Sequence, residues 1–417
     1  MTQFNFTYIF THFDEQGIPY SNNVAGFKHI VNSGQNSFPT PYINLNDICE
    51  DVHNYAFLIN LDFIGKPDSR CSFLLDSYLT LEYKLPAAIL DLLNQRRCTL
   101  IYYSAAESFD TEQSLISMYS AADKLGFPYS QLLLVTGSLN IDAINVKLQK
   151  KYNYETAIRV VGSLMFGRLS ASWLRKLTTS SYVARLPLRK KFICLNRVNR
   201  MHRVNLFALI CRNTELFDSI FYSMQLIDVF NNKFDCRKTT GIGLINSEPT
   251  LGITHAEFDN AVSKLPLMLD TIIRPTIDPV GADIYHFYQT SLFNIITETL
   301  FYDSITLDEP RQFLTEKIFK PFAVSQIPIL VGGVKVIEKL RELGFGVFDD
   351  IVDHSYDYEF DNDLRMLKVV KEITRINSSY TLPQCEQLAL TLTSRFRHNH
   401  EVLLSLRVIS DTVPFYF

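Results

Sequence analysis

Residues 191–203 read K-F-I-C-L-N-R-V-N-R-M-H-R. The apolar run 192–195 leads directly into Asn196, Arg197, Asn199, Arg200, His202 and Arg203. Beyond these, Val204, Phe207, Ala208 and Cys211 recur at helical spacing. A short apolar run followed by a polar turn and a helical pattern predicts a buried strand feeding a helix. The N-terminus of such a helix favours negative charge, because its first backbone N–H groups are unpaired and the helix dipole points its positive end there. Arginine forks add bidentate contacts to phosphate oxygens. The stretch is a candidate clamp for a diphosphate. The alternative is a solvated basic face over a domain joint; the position right after a strand favours the clamp.

Outward from this segment the chain alternates strand-like and helix-like patterns. Upstream, strand-like runs occupy 6–10, 56–63, 98–103 and 131–135, with helix-like stretches at 85–95 and 111–125. Downstream, I-P-I-L-V at 327–331 is followed by Gly332-Gly333 and by Val336, Ile337, Leu340 and Leu343 at helical spacing. Apolar runs separated by helices predict parallel sheets buried on both faces. The expected fold is therefore α/β, with two Rossmann-like domains facing a cleft. Residues 1–170 form the first domain, 171–190 a basic linker and 191–382 the second domain. Residues 383–417 form a helical tail that packs back on the body. Ligands of such sheets bind beyond the carboxyl ends of the strands.

Composition narrows the function. The chain has 417 residues, 47% hydrophobic and 20% charged, which excludes a disordered or low-complexity protein. A net charge of −4 excludes a globally basic nucleic-acid coat. A local basic site remains, since 172–212 holds ten Lys or Arg and no acid. The seven cysteines show no C-x-x-C spacing, which argues against a zinc knuckle or disulfide framework and for a reducing compartment. The first residues lack the pattern of a signal peptide, and the uncharged runs 284–297 and 321–334 are too short to span a bilayer. A cytoplasmic location is expected, the host cytoplasm if the protein is viral.

Three further segments could carry chemistry. In F-L-T-E-K-I-F-K-P, residues 313–321, Thr315 is placed to cap a helix whose first turn carries Glu316 and Lys317. There the carboxylate can accept from vicinal hydroxyls while the lysine pairs with phosphate. On spacing alone an ordinary surface ion pair is the simpler reading, and Pro321 is expected to kink or break the helix. In S-L-F-N-I-I-T-E-T, residues 291–299, an apolar run ends at Glu298. In Y-Y-S-A-A-E-S, residues 102–108, Glu107 stands just past a strand, where a general base of the first domain would face the cleft.

Together the segments F-x-I-x-T-E-T, T-E-K-I-F-K-P, I-P-I-L-V-G and K-F-x-C-x-N-R-x-x-R-x-H-R resemble the donor domain of α1,3-fucosyltransferase-like GT-B glycosyltransferases. The similarity is closer to their relatives in phages and marine bacteria, and it covers about 190–365. In the first half only the layout and Glu107-Ser108 match. The resemblance implies a donor site in which Asn196, Arg197, Arg200 and Arg203 open the donor-binding segment. Lys317 with Arg197 or Arg200 would bind the diphosphate, Glu316 the ribose next to its cap Thr315, and Glu298 the ribose or sugar. Glu107 would deprotonate the acceptor hydroxyl, with His12, in T-H-F-D-E after the first strand, as a reserve base. Two positions depart from the relatives: Gly-Gly-Val-Lys follows Val331, and Phe109 follows Ser108.

The expected function is transfer of a sugar from a nucleotide-diphosphate sugar to a hydroxyl, inverting, without metal or cofactor. The partners would be a nucleotide sugar and a carbohydrate acceptor. A phage-type enzyme acting on hydroxymethylated DNA bases is one alternative; a non-catalytic protein that binds phosphorylated ligands is another. Asp361-Asn362-Asp363 matches the metal-binding D-x-D of other glycosyltransferases but precedes a helical pattern, so these acids are expected to cap a helix. His398, His400 and Glu401 lack the spacing of a helical zinc site and are expected on the surface. No metal ligands are assigned.

Overall fold

A computed structural model describes residues 8–11, 55–60, 87–104, 112–164, 166–167, 170–171, 187–196, 200–224, 251–267, 269, 284–302 and 304–412. The chain divides into two compact units. One is Met1–Met165 with Thr306–Arg311 and Ile409–Phe417; the other is Phe166–Ile305 with Gln312–Val408.

The first unit runs β1 (Tyr8–Thr11), β2 (Tyr55–Asn60), α1 (Ala87–Asn94), β3 (Cys98–Ser104), α2 (Glu112–Leu125), β4 (Leu132–Thr136), α3 (Ile141–Tyr152) and β5 (Arg159–Gly162). The strands pair in sequence order and are parallel throughout. Leu100, Tyr102, Leu132 and Leu134 pack with Ile89, Leu93, Leu115, Met118, Ile144 and Leu148 of the helices. Ile101 and Leu133, which alternate with them, are equally buried. Burial of both faces explains the unbroken apolar runs, since successive strand side chains point to opposite sides. At the end of β5, a Cβ on Gly162 would come within 2.7 Å of the Ser138 carbonyl oxygen. Only glycine lets that strand end lie against the loop after β4.

The second unit continues with β6 (Phe192–Asn196), α4 (Met201–Cys211), α5 (Thr214–Asp218), β7 (Ile220–Met224), α6 (His255–Ser263), α7 (Tyr285–Gln289) and β8 (Phe293–Thr297). The chain then passes through the short strands β9 (Ile305–Thr306) and β10 (Glu309–Pro310), where Thr306–Arg311 belong to the first unit, before α8 (Glu316–Ala323), β11 (Ile327–Val331), α9 (Val336–Glu342), α10 (Asn362–Ser379), α11 (Leu382–Thr391) and α12 (Thr393–Thr412). Its sheet has the order β11-β8-β6-β7, all parallel. Phe192, Cys194, Phe293, Ile295, Ile329 and Val331 share one apolar cluster with Leu206 and Phe207 of α4 and with Met366, Val369 and Ile373 of α10. Burying each such side chain contributes about 1.5–3 kcal/mol.

The division between units falls at Met165, and α11 belongs to the second unit, with Cys385 and Ala389 in its core cluster. The helix α8 runs through Pro321 to Ala323 instead of breaking there. Pro321 removes one internal hydrogen bond, the one its N–H would have given to the Lys317 carbonyl, and the helix ends two residues later.

Candidate functional site

The strand order of the second unit places the site. From β6 the chain moves to β7 on one side, and β8 then returns to the other side of β6. Among the described strands this is where the order reverses, and the carboxyl ends of strands at such a reversal are where open α/β sheets bind ligands. The backbone ladder between these two strands is confined to Phe192↔Phe293 and Ile193↔Asn294, at their amino-terminal halves. Side chains tie them further on. Thr297 donates its hydroxyl to Asn196 Oδ1, and the Asn196 amide donates to Cys194 Sγ at 3.3 Å and to Tyr222 Oη at 3.2 Å. Asn196, expected to meet a ligand, is therefore buried and spent on holding β6, β7 and β8 together.

The start of α4 supplies the cations. Arg200 is its N-cap residue, exposed, with Nη1 donating to the Thr299 carbonyl at 3.0 Å. Arg203 is turned inward, 3% exposed, and donates through Nη2 to the Thr297 carbonyl at 3.2 Å. Burial and then the neighbouring Arg200 lower its pKa to about 10, which leaves it charged. His202 meets the Glu298 carbonyl at 3.0 Å through Nε2 and stacks on Phe301 with ring centroids 5.4 Å apart. Burial, then repulsion from Arg203, Arg200 and Lys317, depress its pKa to about 3. The ring is neutral at physiological pH, and since a carbonyl only accepts, its proton sits on Nε2.

The end of β8 supplies a buried carboxylate. Glu298 is 1% exposed. Its Oε2 accepts from the Thr315 hydroxyl at 2.6 Å and from the Thr299 N–H at 3.1 Å, and its Oε1 accepts from the Thr315 N–H at 3.3 Å. Burial raises its pKa, against the attraction of Lys317 and the Thr315 hydrogen bond. A Cβ on Gly332, just past β11, would stand 3.3 Å from Glu298 Cβ, so the glycine after this strand leaves room for the carboxylate-bearing turn.

Thr315 caps α8 as its sequence position suggests, accepting from the Lys317 N–H at 3.4 Å. Lys317 Nζ lies 3.2 Å from Thr315 Oγ1 and 3.1 Å from Glu316 Oε1. Burial pushes the Glu316 carboxyl up, but Lys317 and Lys320 outweigh it and its pKa is lowered. The carboxylate is ionised, beside a positive helix end.

One residue that motif reasoning passed over braces this arrangement. Arg365 of α10 is 1% exposed and donates to the carbonyls of Gly332 (3.1 Å), Phe301 (2.9 Å) and Glu359 (2.7 Å) and to Asn362 Oδ1 (2.6 Å). Its guanidinium also lies 4.6 Å from the centre of the Phe301 ring. It joins the loops after β8 and β11 and backs the ring on which His202 stacks. The available signal was a charge set among Met366, Val369, Ile373 and Ile376 on the buried side of a helix, since such a charge needs partners there.

The structure thus gathers Asn196, Arg200, Arg203, Glu298, Thr315, Glu316 and Lys317 around the turn at 298–299. Arg197, Glu107 and His12 lie outside the described residues, as does Asn199. Asp361 is the N-cap of α10, accepting from the N–H groups of Asp363 (2.9 Å) and Leu364 (2.8 Å). His400, expected on the surface, is 3% exposed and faces Ser325 Oγ at 3.2 Å, because α12 packs against the end of α8. Among the described residues no group of three His, Cys, Asp or Glu is placed to hold a metal ion, and no helix is long and apolar enough to cross a membrane.

No family model matches the chain. No curated protein matches it either. Among solved structures, it is similar to an α,α-trehalose-phosphate synthase (UDP-forming) from Burkholderia vietnamiensis. That alignment has 10% identity and a TM-score of 0.39, and covers 96% of this chain and 78% of the other. An α,α-trehalose 6-phosphate synthase from Burkholderia multivorans aligns at 10% identity with a TM-score of 0.41, over 96% of this chain and 75% of the other.

Proposed function

We propose that this chain is a glycosyltransferase of the GT-B class that moves a sugar from a nucleotide-diphosphate sugar to an acceptor hydroxyl, and that its second unit binds the donor. The supporting observation is that Arg200, Lys317, Glu298 and Glu316 meet at the strand-order reversal of a parallel sheet. Sugar transfer separates charge: the leaving diphosphate gains negative charge as the anomeric carbon becomes cationic. Fixed ammonium and guanidinium groups aimed at the diphosphate stabilise that separation. In this reading they do the work that a divalent ion does elsewhere.

For the described residues the roles follow from exposure. Arg200 and Lys317, with Arg197, hold the diphosphate; Glu316 accepts from the ribose hydroxyls. Asn196, Arg203 and Glu298, whose polar atoms are turned into the protein, act by positioning these groups. Glu107, with His12 in reserve, is the proposed base of a single inverting displacement on a carbohydrate acceptor.

Calorimetry with ADP, CDP, GDP, TDP and UDP tests the donor site. A charge-assisted hydrogen bond contributes about 1.5–3 kcal/mol. Lys317→Ala is therefore expected to weaken the preferred nucleoside diphosphate by roughly ten- to hundredfold, with the fold intact. Unchanged affinity would remove Lys317 from the site. A panel of nucleotide sugars screened for release of free nucleotide separates a transferase from a protein that only binds.

A further inference from the structure

We propose that Glu316 and Lys317 mask one another, so that the site refuses simple phosphates and admits only a ligand presenting a diphosphate and vicinal hydroxyls together. The proposal rests on the reading of the second unit as a nucleoside-diphosphate site. Lys317 Nζ is held by two acceptors, Glu316 Oε1 at 3.1 Å and Thr315 Oγ1 at 3.2 Å. The Thr315 hydroxyl has one proton, and the Glu298 carboxylate takes it at 2.6 Å. Towards Lys317 it can therefore show only lone pairs. Glu298 thus fixes Thr315 as an acceptor, and Thr315 helps to keep the ammonium on Glu316.

The side chains of this pair are 30% and 22% exposed. Unpairing a charge there is costly, because water replaces the lost partner only in part. Inorganic diphosphate that draws Lys317 away leaves the Glu316 carboxylate, among the described residues, with the weaker attraction of Lys320, one turn along α8. A nucleoside diphosphate brings its own replacement, since two ribose hydroxyls can donate to the carboxylate as the ammonium turns to the phosphates. The exchange of partners is balanced for the nucleotide and unbalanced for the bare anion. Sites discriminate most strongly when the wrong ligand leaves a buried polar group unpaired.

The consequence has an unusual sign. Removing the Glu316 charge should weaken nucleotide binding and strengthen pyrophosphate binding. The experiment is calorimetry of wild type, Glu316→Gln, Lys317→Met and the double variant, with pyrophosphate and with the five nucleoside diphosphates, TDP being taken as the ribonucleotide so that all five carry both hydroxyls. Wild type should bind at least one nucleotide a hundredfold or more tighter than pyrophosphate. Glu316→Gln should lose at least tenfold for that nucleotide and gain at least threefold for pyrophosphate. The gain should vanish in the Lys317→Met background, which distinguishes release of Lys317 from simple loss of a repelling charge. Pyrophosphate affinity that is unchanged or lower in Glu316→Gln, or a gain that survives without Lys317, overturns the masking while leaving the nucleotide site standing. Failure of all five nucleotides to bind wild type overturns the reading of the site and the masking with it.

Discussion

Asn196 gives both amide protons to buried partners, Cys194 Sγ and Tyr222 Oη, and its carbonyl takes the Thr297 hydroxyl. Replacing it with alanine leaves Tyr222 and Thr297, both buried, short of a partner. Each unsatisfied group costs about 1–3 kcal/mol, so Asn196→Ala is expected to lower unfolding stability by about 2–4 kcal/mol in urea titrations. A loss below about 0.5 kcal/mol would mean that these bonds contribute nothing. Nothing local told Asn196 from Arg200. Both are polar residues in the short polar stretch after the apolar run 192–195, and only the return of β8 beside β6 turns one inward and leaves the other facing water.

At the scale of elements, α10 decides between two readings of Asp361-Asn362-Asp363. Asp361 accepts two backbone N–H groups of the first turn, the geometry of a cap. Losing such a cap costs about 0.5–2 kcal/mol. Asp361→Ala is expected to lower stability by about 1 kcal/mol and to leave nucleotide affinity unchanged within twofold; a large loss of nucleotide affinity with no change in stability would contradict the cap. Periodicity located this helix, and it located β11 to the residue, because I-P-I-L-V is bounded by a glycine pair. It did not mark β5 or β7. R-V-V-G is very short, and I-F-Y-S-M follows α5 with a single residue between them, so neither carries turn signals on both sides.

Across the whole second unit, three buried histidines set a pH dependence. Burial lowers the pKa of His202 to about 3, of His400 to about 4, and that of His354 as well, against its bond to Asp349. An unfolded histidine titrates near 6.5. As pH falls below about 6.5 the unfolded chain takes protons that the folded rings refuse. The stability that His202 and His400 contribute is complete above that pH and drains away towards pH 3–4, at up to about 1.4 kcal/mol per pH unit for each ring, and His354 acts in the same direction. Asp357, raised by burial to about 6, and Glu298, raised by burial, act in the opposite sense, since folding there favours the protonated acid. With three groups against two, urea midpoints should fall between pH 7 and pH 5. His400→Gln, at the opposite end of α8 from Glu316 and Lys317, should show a shallower fall; an identical slope would mean that His400 is not buried neutral.

The chain's local patterns were enough to establish strands alternating with helices, a capped helix opening on Glu316 and Lys317, and a cationic turn after β6. Apolar period, turn residues and helix caps all act over a few neighbouring positions. Which strands lie side by side, and therefore that Arg200 and Lys317 meet at the turn beside Glu298 while Asn196, Arg203 and Arg365 are drawn inside, came only from the packed fold. Strand order and burial depend on how distant apolar faces cover one another, and no short window of residues contains that information.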